Sequence, residues 1–178
     1  MDGDKARREP IFNRVIGEFE VPDPDPERWT EQLKDVARQV RAGILRHRDV
    51  VRISMGRFPM GPNGLRFAER LLAIFRAGGL PDRTAAVANH LIFVVINAFS
   101  LEDAAPPGGP DASPDESNAM ITGYIASLPP DQFPNLVAVA PVFTLDDLDA
   151  RFDLLLDLFV DGLAQRASEA STSEGAAR

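Results

Sequence analysis

His47 and His90 are the only histidines in the chain, and cysteine is absent. Thiolate zinc sites, disulfides and cysteine nucleophiles are therefore excluded. Neither histidine belongs to an i,i+4 pair or an HExxH motif, so no zinc site is expected. His47-Arg48-Asp49 matches three letters of a kinase catalytic loop. No Asn follows at the required spacing, and neither a Gly-rich loop nor a DFG is present. Asp49 reads better as the cap of a helix that restarts after a break. The serines lie in no GxSxG context and have no third member for a triad. With no nucleophile–base pair and no metal set, the sequence reads as a non-enzyme with no cofactor.

Two groups of polar residues remain. Asn89, His90 and Asn97 interrupt the apolar run Ala85–Phe99. Groups so placed are either satisfied core or interface residues, or the few polar handles of a greasy pocket. Asp146, Asp153, Asp157 and Asp161 share one narrow face of the last helix, where their spacing predicts a solvated stripe on the outside of the fold rather than an acid/base pair. Phe67, Phe75, Phe93 and Phe99 are core by default. Phe58 lies in the turn cluster FPMGPNG, where a large apolar side chain has no obvious helical partner.

The elements that position these residues are all helical. Ile11, Phe12, Val15, Ile16 and Phe19 make a short amphipathic segment over Pro10–Glu20, which VPDPDP stops. Trp29, Leu33, Val36, Ala37, Val40 and Ile44 predict a long helix over Glu27–His47 with one inward stripe. A shorter helix restarts near Asp49 and ends by Gly56. The next runs to about Ala77, with Asn63 as a candidate cap and Gly78-Gly79 as its end. A helix from Pro81 or Asp82 to about Glu102 is apolar nearly all round, yet its longest apolar run, Ala85–Phe99 with its three polar interruptions, reads as too short and too polar to span a bilayer. Ala104–Glu116 reads as a loop, Ser117–Leu128 as a short helix, and Thr144 as the cap of the last helix. In that helix Leu148, Phe152, Leu155, Leu156, Phe159 and Leu163 share one sector, widened by Val160, Leu154 and Leu158. The apolar arc is roughly 240°, where a surface helix needs little over about 100°. Such a helix must bury two faces, one in its own core and one in a partner. The expectation is an all-α fold of seven or eight helices over residues 10–166, between disordered segments at 1–9 and 167–178.

The 178 residues carry a net charge of −8, so no general electrostatic affinity for nucleic acid is expected. MDGDKARREP contains no apolar signal segment. A cytoplasmic protein without a membrane partner is the expectation. Arginine outnumbers lysine 17 to 2, which points to a GC-rich bacterial genome.

RWTEQLKDVARQVRAGILRHRDVVRISMG, then LLAIFRAGGL, a long buried helix ending SLED, FPNL and RFDLLLDLFVDGL follow one another in this order. Together they resemble the C-terminal ligand-binding and dimerisation domain of TetR-type transcriptional repressors, over roughly Pro10–Arg166. The resemblance implies a homodimer in which the Asp82–Glu102 helix and the last helix pair with their counterparts in a four-helix bundle. Leu91, Val95, Phe152, Leu155, Leu156, Phe159 and Leu163 would form that interface. It also implies a pocket between the helices starting at Trp29, Asp49, Asn63 and Asp82, with Val36, Val40, Ser54, Phe58, Phe67, Leu71, Asn89, Phe93 and Glu102 as ligand-binding residues. Ser54 stands where tetracycline-binding members carry a magnesium-ligating histidine, and Val36 where they carry a polar drug contact. Glu102 matches an acidic position near their metal. The implied effector is therefore a small apolar or aromatic molecule, with no metal. Leu155 replaces a glycine common in the family's last helix.

Only nine residues precede Pro10, too few for a helix-turn-helix. The expectation is an effector-binding core without direct DNA binding of its own. The alternative is an interaction protein that forms mixed dimers with full-length regulators and has no ligand.

Overall fold

The computed structural model describes residues 13–47, 60–104, 113–142 and 148–176. In chain order they form helical residues 13–16 (α1), α2 (Trp29–Arg46), α3 (Pro62–Ala77), α4 (Asp82–Ala104), α5 (Pro114–Ala126), α6 (Pro134–Val139) with a 3-10 turn (Ala140–Val142), and α7 (Leu148–Ala176). No strand occurs among the described residues. The expected helix restart at Asp49, Ser54, Phe58 and the Thr144 cap lie outside them.

α2 is the central strut, touching α3, α4 and α7. Its inward stripe is the one the spacing predicts: Trp29, Leu33, Val36, Ala37, Val40 and Ile44 are all buried. The proline-rich approach is held by Gln32, whose Nε2 donates to the Asp23 carbonyl (2.8 Å) and whose Oε1 accepts from the Asp25 N–H (3.0 Å). This pairing satisfies backbone groups that a proline-rich stretch leaves without ladder partners.

α3 ends as its sequence predicts. Gly79 adopts φ +79, a conformation costly for any residue with a Cβ. The Gly79 N–H donates to the Arg76 carbonyl (3.0 Å) and the Leu80 N–H to the Phe75 carbonyl (3.3 Å), which closes a Schellman motif over buried Leu80. The start of α3 differs from expectation. Gly61 is the N-cap and Pro62 is in the first turn. The capping acceptor is Asn13 on α1, whose Oδ1 accepts from the N–H groups of Asn63 (2.9 Å) and Gly64 (3.4 Å). Asn63 returns the contact through Nδ2 to the Asn13 carbonyl (2.9 Å).

α4 packs on α2 and α3. Over Asp82–Glu102 it is long and apolar enough to cross a membrane by length and composition. The shorter interrupted run seen in the sequence understated it. Ala85, Ala88, Ile92 and Ile96 face the core, while Val87, Leu91 and Val94 are exposed.

α5 begins three residues before the predicted start. Ser113 is its N-cap and accepts from the Glu116 N–H (3.2 Å), with Pro114 in the first turn. A Ser-Pro-Asp-Glu string that reads as loop by composition is here a helix start. α5, α6 and the 3-10 turn pack on one another.

α7 continues to Ala176 rather than ending near Ala167. Alanines favour the helix. The hydroxyls of Ser171, Thr172 and Ser173 donate to carbonyls four residues back, at 3.1, 2.9 and 2.9 Å. Its inward stripe is Phe152, Leu156, Val160, Leu163 and Ala167, at helical spacing.

The aspartate face of α7 corrects the sequence reading. It is a ladder of ion pairs to α2 rather than a free stripe. Asp149 accepts from Arg41 (2.7 Å), Asp153 from Arg38 (2.8 Å) and Asp157 pairs with Lys34 (2.7 Å). The hydrogen bond to Asp157 holds the Lys34 ammonium above its ordinary pKa, and that to Asp153 does the same for Arg38. Asp161 is exposed, and Asp146 lies outside the described residues.

The rungs are unequal. Arg38 and Asp153 are both largely solvated, so Arg38→Ala is expected to cost less than about 1 kcal/mol. Arg41 is buried and its guanidinium lies 4.8 Å from the centre of the Phe152 ring. Arg41→Ala removes packing, a cation–π contact and an ion pair, and is expected to cost about 2 kcal/mol. Urea titration of both variants ranks them; equal losses would mean that burial does not separate the rungs.

Candidate functional site

The predicted pocket residues that the structure describes lie on α2, α3 and α4, and α4 packs on both of the others. α2 contributes Val36 and Val40, α3 contributes Phe67 and Leu71, and α4 contributes Asn89 and Phe93. Val36, Val40, Phe67 and Leu71 are buried in one apolar cluster, and half-buried Phe93 packs on it. The Phe67 and Phe93 rings are 5.4 Å apart at 60°. Phe19 joins them from the chain following α1, 6.3 Å from Phe67 and edge-on. In the sequence Phe19 stands only on an amphipathic stripe. A signal for it lay in Gly43, an isolated glycine inside the α2 pattern. A Cβ at Gly43 would overlap the Phe19 ring.

Asn89 is 4% exposed, and its Oδ1 has no hydrogen-bond partner. A buried amide oxygen without a partner costs about 1–3 kcal/mol. It lies one turn before Phe93 on the same helix, so the two side chains share a face. The neighbouring polar residue of the sequence motif, His90, is exposed.

Glu102 stands apart. Thirteen residues beyond Asn89 on the same helix, it is roughly 20 Å away along the axis. It accepts from Arg151 Nη2 on α7 (2.9 Å), and Arg151 Nη1 is buried without a partner. Glu102 is thus an inter-helix ion-pair residue, separate from the Asn89 wall. No group of acidic or histidine side chains among the described residues could hold a metal ion.

Among the described residues, three cavities can be placed beside these elements. One of about 520 Å³ opens between α2 and the start of α7, beside Arg38, Arg41, Leu45, Asp149 and Phe152. A second, of about 280 Å³, lies under α1, lined by Ile16, Phe19, Val21, Asn63, Arg66 and Phe67 among others. A third, of about 310 Å³, is a groove between α4 and α7 with Val87, Leu91, Phe159 and Leu163 in its walls. Of the predicted ligand residues only Phe67 borders one of them, the cavity under α1.

The second apolar face of the fold is also visible, and it amends the predicted interface. Leu91 is exposed, as that role requires; Val95, Leu155 and Phe159 are half-buried. Phe152, Leu156 and Leu163 are buried inside their own protomer, so a partner has little of them left to cover. The outward residues are Leu154 and Leu158 on α7, with Val87 and Val94 beside Leu91 on α4. The wide apolar arc of α7 could not by periodicity alone say which of its edges turns inward.

Residues 21–167 match the tetracyclin repressor-like, C-terminal domain family, and the chain belongs to it. The fold is similar to ActR of Streptomyces coelicolor without ligand, at 39% identity and TM-score 0.83, over 92% of this chain and 75% of that one. It is similar to ActR in complex with actinorhodin, at 39% identity and TM-score 0.81, over 90% of this chain and 75% of that one. A possible TetR family transcriptional regulator from Streptomyces coelicolor A3(2) is 30% identical with TM-score 0.64, over 89% of this chain and 75% of that one. No curated protein sequence matches the chain.

Proposed function

We propose that the chain is the effector-binding, dimerising unit of a cytoplasmic transcriptional repressor. Its effector is a small aromatic molecule bearing a hydroxyl. The observation that carries this reading is the buried, unpartnered Oδ1 of Asn89 one turn from Phe93. Native folds rarely leave such a group unpaired, and a ligand hydroxyl against the Phe93–Phe67 wall would satisfy it. Actinorhodin and (S)-DNPA, both bound by ActR, are the first probes for this chain. Val36, Val40 and Leu71 supply the apolar backing, and Ser54 and Phe58 are proposed to complete the site.

The dimer is proposed to form through α4 and α7, with Val87, Leu91, Val94, Leu154 and Leu158 as its seam and Val95, Leu155 and Phe159 at its edges. Exposed apolar side chains gathered on two adjacent helices mark an interaction surface.

Thermal-shift and calorimetric titration with actinorhodin test the effector reading. Occupancy at one hundred times Kd is expected to stabilise the fold by about 2.7 kcal/mol. No shift and no heat with either probe would remove this class of effector.

A further inference from the structure

We infer that the groove between α4 and α7 binds a linear aliphatic carboxylate, with Arg83 and Arg166 holding its head and Val87, Leu91, Phe159 and Leu163 its chain. The site is separate from the Asn89 wall. Its consequence for assembly rests on the proposed α4–α7 seam.

The groove sorts its residues by polarity along its length. α4 and α7 run antiparallel. Phe99 meets Phe152 and Glu102 meets Arg151 toward one end, and Arg83 and Arg166 fall together toward the other, where both border the cavity of about 310 Å³. From there to Leu91 the walls are apolar. Leu163 is buried and forms the floor, Phe159 is half-buried, and Val87 and Leu91 are exposed at 52% and 43%. The eight-residue step from Arg83 to Leu91 is roughly 12 Å of helix. The volume stands at the small end of ligand sites. A narrow apolar groove with positive charge at one end fits a straight chain with a single anionic head.

That positive end has no answer within the chain. Among the described residues neither Arg83 nor Arg166 has an ion-pair partner. The nearest acids in sequence are engaged elsewhere: Asp82 pairs with Arg76 (3.0 Å), and Glu169 accepts from Gln165 (3.1 Å). α4 starts at Asp82, so the positive end of its backbone dipole lies there too. Two guanidiniums bordering one cavity repel each other, and an anion between them relieves the repulsion. A carboxylate suits them in shape as well, since each guanidinium presents paired N–H donors to its two oxygens. In a chain of net charge −8, this positive pocket is a local feature.

The acids of a second copy's α7 are a poor substitute for that head. Asp149, Asp153 and Asp157 turn to Arg41, Arg38 and Lys34 of α2, and Asp161 lies near enough to add to the pull of Asp157 on Lys34. Val87, Leu91 and Phe159, however, belong to the proposed seam. A chain seated between α4 and α7 takes surface that the second copy would cover, so acid and dimer exclude one another. By linkage each weakens the other by the same factor.

Octanoate below its micellar range is the probe, titrated calorimetrically into the whole chain. Saturable binding is expected. Arg83→Gln/Arg166→Gln alters two exposed side chains and is expected to lower octanoate affinity by about tenfold or more. Octanol has the same chain length and no charge, and is expected to bind both proteins alike. Asn89→Leu is expected to leave octanoate affinity unchanged. The inference is overturned if octanoate does not bind saturably, or if the double glutamine variant binds it as the wild type does. It is also overturned if Asn89→Leu lowers octanoate affinity, since the acid would then sit on the aromatic wall. Sedimentation with and without octanoate reads the dimer separately. Dissociation that follows octanoate saturation supports exclusion, and a dimer that persists with octanoate fully bound overturns it. A chain that is monomeric without octanoate removes the proposed seam, and the glutamine comparison still decides the site.

Discussion

The double substitution Leu154→Asp/Leu158→Asp is expected to give a folded monomer. Both side chains are largely solvent-exposed in the single chain, at 60% and 65%, so two carboxylates there burden the protomer little. In the proposed bundle they would press four unpaired charges per dimer against Val87, Leu91, Val94 and their counterparts. Each buried, unpaired carboxylate costs several kcal/mol. A loss of even about 4 kcal/mol weakens a dimer roughly a thousandfold, beyond the micromolar range of ordinary measurements. Leu156→Asp differs from this by position alone. Leu156 is fully buried in its own protomer, and the charge is expected to unfold the chain rather than separate it. Sedimentation together with circular dichroism distinguishes the outcomes. A double variant that stays dimeric with an unchanged helical spectrum would place the interface elsewhere.

That contrast between neighbours on one helix also shows what the sequence could reveal. Residues 154, 156 and 158 are all leucine, and each lies within the apolar arc. Periodicity predicted that the helix has two buried sides; it could not say which edge faces inward, because that depends on where α2 lies. The same limit hid the ion-pair ladder. Asp153 and Asp157 look like part of a solvated stripe until Arg38 and Lys34 arrive from more than 100 residues away, and Asp149, outside that stripe, meets Arg41 in the same way. α2 itself was legible because its single stripe is a local property, and so was the Gly78-Gly79 end of α3. The start of α3 was not, since its capping group is a side chain fifty residues earlier. In the candidate site, Asn89 stood out as a polar interruption of an apolar run. Phe19 did not, because an aromatic residue on an amphipathic stripe has an adequate explanation as core. Its partner Gly43 was the better clue, a gap in a good helix former that only a close neighbour explains.

Asn89→Leu is expected to make the protein more stable and less responsive at once. The two side chains are close in size, and the substitution replaces a buried oxygen without a partner by an apolar group in an apolar wall. Removing that desolvation cost is expected to add about 1–2 kcal/mol to the unliganded fold. For a chain of this length each kcal/mol is worth roughly 2–4 °C in Tm. In the proposed site a ligand would lose a buried hydrogen bond, so affinity for actinorhodin is expected to fall by about ten- to a hundredfold. Ordinary core damage cannot imitate this pair of results, because a packing defect lowers Tm as it lowers affinity. If Asn89→Leu instead destabilises the fold by more than about 1 kcal/mol, the amide is doing structural work within the chain. If stability rises and affinity is unchanged, Asn89 does not face the ligand and the polar handle lies elsewhere on the wall. Only a rise in Tm joined to a loss of binding fits a polar group that this fold keeps for a molecule it does not itself contain.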